Sequence, residues 1–234
     1  MKTLVATLFI LIAVASESLA QWRFYITAGP DVTTFTGKEK KEWGGTDSNP
    51  KWVIRGHAGI LVERILSDEW EAGAGLQFAI KGTAYAGDVE YYDVSSGSLE
   101  MINVKYTKLL TYIDLPVYVK YLASEKWHLI GGLQPSLLLS AKVKNDENAR
   151  QAYPGLPATE DARDYYTTLD IAVLIGPRYQ ISDKLSLELL VKPGILKIAK
   201  ADSYDGAGSM GERRYKVHNM GVGISVVYLI REKE

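Results

Sequence analysis

The sequence predicts an all-β fold, a single eight-stranded antiparallel up-and-down transmembrane β-barrel with short periplasmic turns and long extracellular loops. Three observations predict it. Apolar residues recur with period two rather than the helical period of about 3.6. Eight such runs each reach or exceed the roughly 9–11 residues that a tilted membrane strand needs. The connections between them alternate short with long, as in outer-membrane barrels.

The chain opens with an export signal. Lys2 gives a short positive region, Thr3 to Ala15 (TLVATLFILIAVA) an apolar core, and Ser18 and Ala20 the small residues of a cleavage site before Gln21. The apolar run is shorter than the roughly 18 residues that cross a bilayer as a helix. Residues 1–20 therefore read as a secretory signal peptide cleaved after Ala20. Residues 21–234 read as one domain, since no linker or low-complexity block divides them. With no cysteine, disulfides, thiol nucleophiles and acylated cysteines are excluded. A net charge of -1 gives no basic footprint for nucleic acid.

The predicted strands are Trp22 to Phe35, Trp52 to Ile65, Trp70 to Lys81, Tyr106 to Tyr121, Trp127 to Val143, Tyr165 to Ile181, Lys184 to Ile198 and Tyr215 to Ile230. Tight turns join the second to the third (LSDE from Leu66), the fourth to the fifth (LASEK from Leu122) and the sixth to the seventh (Ser182, Asp183). The other connections are long and polar: from Gly37, from Gly82 to Lys105, from Lys144 and from Ala199. Both ends of the domain then lie on the short-turn side.

Each strand sorts its residues by parity. In the sixth, Leu169, Ile171, Val173, Ile175 and Tyr179 oppose Tyr166, Thr168, Asp170, Ala172, Gly176 and Arg178. Alternation alone fits two solutions: a soluble lipocalin-like barrel with the aliphatic face inward, or a membrane barrel with that face toward lipid. Three features favour lipid. The polar face is rich in glycine, among them Gly29, Gly73, Gly132 and Gly223, which suits a narrow interior where side chains interdigitate. Trp22, Trp70, Tyr121, Trp127, Tyr179 and Tyr228 share the aliphatic parity at the short-turn ends of strands, a periplasmic aromatic girdle. Finally, the polar face carries charges of both signs: Arg23, Arg55, Glu63, Glu71, Lys81, Lys108, Asp114, Lys120, Asp170, Arg178, Glu188 and Lys192. Such a set is expected of a lumen plugged by paired ions.

The fourth strand contains TYIDLPVYVKY from Thr111. Tyr112, Asp114, Pro116 and Lys120 share the polar parity, and Pro116, lacking an N–H, predicts a break or bulge in the ladder. Tyr112-Ile113-Asp114-Leu115-Pro116 followed by Lys120-Tyr121 resembles the fourth-strand signature Y-[LI]-E-[IL]-P-x-x-x-K-Y of PorT-like outer-membrane β-barrel proteins of Bacteroidota, with Asp114 where Glu is commoner. Strands two, three, six and seven look like the matching strands of that family. The resemblance implies an eight-stranded barrel in the outer membrane, and a few members are linked to protein secretion. At the carboxyl end, Asn219, Gly221, Ile224 and Val226, continued by Tyr228, are similar to the last-strand signal read by barrel assembly machinery. The tail from Arg231 to Glu234 departs from it, since many barrels stop on an aromatic residue.

No nucleophile elbow, phosphate loop, HExxH motif or dinucleotide fingerprint occurs. His57, His128 and His218 fall on separate strands, so neither a metal site nor a cofactor is expected. The acidic residues Asp146, Glu147, Glu160, Asp161 and Asp164 match no calcium loop. The expected protein is thus a non-enzymatic barrel of the cell outer membrane with no catalytic residues. Its expected partners are membrane lipid, lipopolysaccharide and, through loops bearing Trp43, Tyr85, Tyr91, Tyr92, Tyr153 and Tyr204, an envelope protein or glycan. The enzyme alternative is a lipid-modifying barrel using His57 or His218 with a neighbouring acid.

Overall fold

The computed structural model describes residues 22–44, 49–93, 97–200 and 215–233. The signal peptide, its cleavage site and Tyr204 lie outside them. Ten strands form one antiparallel sheet: β1 (Trp22–Thr36), β2 (Val53–Ile65), β3 (Trp70–Asp93), β4 (Ser98–Asp114), β5 (Val117–Leu122), β6 (Trp127–Asn145), β7 (Thr159–Asp161), β8 (Leu169–Ser182), β9 (Leu185–Pro193) and β10 (His218–Lys233). The short β7 pairs only with β6, while β4 and β5 form one stave broken at Leu115 and Pro116. The remaining pairings run from β1 through β2, β3, β4/β5, β6, β8 and β9 to β10, and β10 pairs back onto β1, closing a ring of eight staves. Closure leaves no unpaired edge within the ring.

The break at Pro116 is stitched across. Gly75 N–H donates to the Pro116 carbonyl at 2.9 Å and Leu115 N–H to the Pro135 carbonyl at 2.8 Å, so the missing proline donor interrupts one stave without opening it. Tight connections follow β2, β5 and β8, and Trp22 pairs with Lys233, which puts both described chain ends at the short-turn side.

Several strand limits differ from expectation. The stretch from Gly82 to Lys105, read as a loop, continues β3 and β4 as a two-stranded ribbon from Thr83–Lys108 out to Asp93–Ser98. Its Tyr- and Val-containing runs alternate like any strand, and its glycines do not end them: Gly82 adopts a φ of 136° inside β3. Tyr165 and Tyr166 precede β8 in a 3-10 turn and its cap, β9 stops at Pro193, and Tyr215 precedes β10. The long connection after β6 holds a short helix α1 (Glu147–Ala152), capped by Asp146, whose side chain accepts from Ala149 N–H at 2.8 Å.

Burial resolves the two solutions left by alternation. Outward positions are aliphatic and exposed, Ile175 at 57% and Ile224 at 54%, whereas Asp170 and Arg178 on the opposite parity are 0% and 1% exposed. The polar face is therefore the inside. Outside, Trp70 stacks beside Tyr121 at 4.9 Å and Trp127 beside Tyr179 at 4.8 Å, while the Arg64 guanidinium lies over Trp22 at 5.6 Å. With Tyr228 exposed on β10, the six aromatic residues ring the outer surface toward the short-turn end.

Candidate functional site

The lumen is the chemically distinctive part of the molecule, and parity builds it in layers. On β2, inward positions read His57, Gly59, Leu61, Glu63; on β8, Asp170, Ala172, Leu174, Gly176, Arg178; on β9, Glu188, Leu190, Lys192. Polar residues thus occupy two levels with Leu61, Leu174 and Leu190 between them, packed with Ile130 and Val227.

The level nearer the short turns is a continuous ionic chain. Arg178 donates to Glu63 through Nη1 at 2.5 Å and to Glu188 through Nη2 at 2.7 Å. Glu63 also accepts from Lys120 Nζ and from the Tyr118 hydroxyl, each at 2.5 Å. Lys120 reaches Glu71 at 2.6 Å, Glu71 pairs with Arg23 at 3.0 Å, and Arg23 ends the chain on Glu232 at 2.8 Å. Within this low-dielectric interior, every pair is needed to offset the desolvation of its neighbours. Space for the network comes from missing side chains. A Cβ on Gly73 would lie 2.3 Å from the Tyr118 ring, so Tyr118 reaches Glu63 only across a glycine.

The second level centres on β1, β2 and β10. His57 Nδ1 lies 2.7 Å from Asp31 Oδ2, and its Nε2 lies 2.9 Å from Ser225 Oγ; Lys192 Nζ donates to Asp31 Oδ1 at 2.8 Å. A Cβ on Gly223 would sit 2.0 Å from Asp31 Oδ1, so that glycine makes room for the carboxylate. Serine, histidine and aspartate stand here in the order of a nucleophilic relay. Ser225, however, lies in mid-strand opposite Glu188, where backbone amides are committed to the ladder, and it is 3% exposed. These buried contacts link three adjacent staves, β2, β1 and β10. Nearby, Lys81 pairs with Asp114 at 3.0 Å, and Asp114 accepts from Gln134 at 2.6 Å.

An aromatic plug closes the loop side. Phe35, Trp43, Tyr85, Tyr112, Tyr166 and Tyr215 bury together, with Trp43 edge-on to Tyr166 at 5.5 Å and against Tyr215 at 5.2 Å. Lys108 belongs to this plug rather than to the ion network: its Nζ donates to the Trp43 carbonyl at 2.5 Å and lies 4.9 Å and 5.3 Å from the Trp43 and Tyr85 ring centroids. Arg55 also stands apart, half-buried and donating to the Ile54 carbonyl at 2.9 Å. Both residues share lumen parity, yet neither forms an ion pair within 4.0 Å among the described residues.

Among the loop aromatics expected to meet a partner, Trp43 and Tyr85 are buried in the plug, and Tyr91 is half-buried and hydrogen-bonded by Gln151. Tyr92 and Tyr153 remain exposed. In the third long loop, Asp146 caps α1 and Asp161 accepts from Arg163 N–H. His218 hydrogen-bonds the Leu196 carbonyl, and among the described residues no group of three or more His, Cys, Asp or Glu could hold a metal ion. Sequence reasoning missed Asp31 as a lumen ion, and Ser225, Gln134 and Asn219 as the polar partners of His57, Asp114 and Asp170. Period-two parity alone places all four inside.

The sequence matches the outer membrane protein beta-barrel domain family over residues 13–200. None of the curated proteins matches it. In structure it is similar to Neisserial surface protein A, at 12% identity and a TM-score of 0.47, covering 88% of this chain and 96% of that one. It is also similar to Ail, the attachment invasion locus protein of Yersinia pestis, at 10% identity and 0.44, covering 90% and 98%. A third is the outer membrane protease OmpT from Escherichia coli, at 8% and 0.42, covering 92% and 99%.

Proposed function

The chain belongs to the outer membrane protein beta-barrel domain family, and from that premise we propose that it is a sealed, non-enzymatic barrel of the bacterial outer membrane with a structural or surface-interaction role. One observation carries the reading: a belt of outward aliphatic side chains, girdled by Trp and Tyr at one end, encloses an interior of paired charges. In water that surface would be a large exposed apolar patch, whereas lipid covers it. The short turns face the periplasm and the long loops the medium.

Eight staves enclose a space that side chains just fill, and among the described residues the ionic layer and the aromatic plug occupy it. Interaction then belongs to the loops and to the ribbon of β3 and β4, because the scaffold fixes their spacing while leaving their sequence free. Lipid and lipopolysaccharide are the immediate partners, an envelope protein or glycan the further one, and barrel assembly machinery the route of insertion. The motif from Tyr112 to Tyr121 supports a PorT-like identity and a source in Bacteroidota, with a contribution to protein secretion as its corollary.

Cell fractionation tests the reading. The protein should sediment with outer membranes and migrate differently on gels before and after boiling; recovery as a soluble periplasmic protein would contradict it. Deleting the gene should leave lipid A and phospholipid profiles unchanged, while a change reproduced by His57→Ala would favour the enzyme alternative.

A further inference from the structure

Among the described residues, the buried lumen carboxylates Asp31, Glu63, Glu71, Asp114 and Glu188 each lie within 3.0 Å of a lysine or arginine nitrogen. Asp170 does not. It is 0% exposed, and no cationic nitrogen of the described residues comes within 4.0 Å of it. Its Oδ2 accepts from Asn219 Nδ2 at 2.8 Å, while its Oδ1 has no hydrogen-bond partner.

Asn219 repeats the same deficit. Its amide nitrogen donates to Asp170 and, at 3.3 Å, to the Tyr112 hydroxyl, which fixes the orientation of the amide. Its Oδ1, on a side chain from a residue only 5% exposed, is left without a partner. Two buried oxygens from neighbouring side chains thus lack any positive group, which is costly in a low-dielectric interior.

Both residues line one small lumen cavity, partly open to solvent, together with Asp31, Asp114, Lys81 and Lys192. The two lysines are already committed. Lys81 is held by Asp114 at 3.0 Å and Ser136 at 2.9 Å, and Lys192 by Asp31 at 2.8 Å. The lining sets three carboxyl groups against two lysines, and Asp170 is the carboxyl group without a cationic partner among the described residues.

We propose that this cavity binds one alkali-metal cation, sodium or potassium, through Asp170 Oδ1 and Asn219 Oδ1, with water completing the coordination shell. The donors are hard oxygens, which suit such ions and not soft metals. One carboxyl group is in excess, so a single monovalent ion balances its carboxylate. A divalent ion would call for more anionic ligands than these two side chains supply. The inference goes beyond the outer-membrane reading and rests on the lumen alone.

The test uses the full chain folded in detergent. Thermal melts are recorded in sodium, potassium and N-methylglucamine chlorides at matched ionic strength. Binding to the folded state predicts a higher Tm in at least one alkali salt, rising with the logarithm of ion concentration, and loss of that difference in Asp170→Asn. Sodium-23 line broadening by the wild-type protein, relieved by potassium, reports occupancy even where the variant fails to fold. Identical wild-type melts in all three salts with no line broadening would overturn the proposal. An infrared band of a neutral carboxylic acid, lost in Asp170→Asn, would overturn it as well and assign a proton to the same oxygens.

Discussion

Arg178 and Glu63, 115 residues apart in sequence, meet at 2.5 Å across the lumen, and both are 1% exposed. The same guanidinium binds Glu188, so one side chain ties β8 to β2 and β9. The pair's net contribution to stability is small compared with the cost of breaking it, because removing one partner strands buried charge.

Arg178→Met should therefore destabilise the folded barrel by about 3–5 kcal/mol, since it leaves Glu63 and Glu188 short of a cation. Arg23→Met should cost distinctly less, because its side chain is 28% exposed and buried Glu71 keeps Lys120 at 2.6 Å. Urea unfolding in lipid vesicles, followed by tryptophan fluorescence, compares the two.

Gly73→Ala places a methyl 2.3 Å from the Tyr118 ring and should cost about 1–3 kcal/mol through overpacking. In a Tyr118→Leu background the same change should cost less. A double-mutant cycle measures the coupling, and strictly additive losses would show that the glycine serves something other than Tyr118.

The ribbon beyond Gly87–Val104 adds no stave to the ring. Replacing residues 88–103 by Asn-Gly, which favours a two-residue hairpin turn, should leave the heat-dependent gel shift intact. Any protein or glycan captured by cross-linking on intact cells through exposed Tyr92 should be lost.

Val173 faces outward near the middle of β8, whereas Thr168 precedes that strand on the loop side and is exposed. Val173→Arg should cost about 2–4 kcal/mol in lipid, and Thr168→Arg distinctly less. Equal stability of Val173→Arg and wild type in vesicles would place that face away from the bilayer.

Period two made most of this fold legible, because parity alone separated Ile175 from Arg178 and Trp127 from His128. The break at Pro116 was equally readable, since a missing N–H has a local consequence. The ribbon was not: glycine and tyrosine between Gly82 and Lys105 look like loop composition, and only pairing with a partner strand distinguishes them. Composition of the lumen followed from parity, but partnership did not. Lys108 and Lys120 share a face, yet one meets an indole ring and the other two glutamates, a difference set by height along the ring.

The central claim is that the aliphatic face meets lipid, and the absence of native cysteine allows it to be tested one site at a time. Single cysteines at Ile175 and Ile224 in the belt and at Tyr92 on the ribbon would carry a bimane probe in vesicles with brominated acyl chains. Strong quenching at positions 175 and 224, with weak quenching at position 92, is the predicted result. Belt probes untouched by brominated lipid but quenched by aqueous iodide would contradict the account.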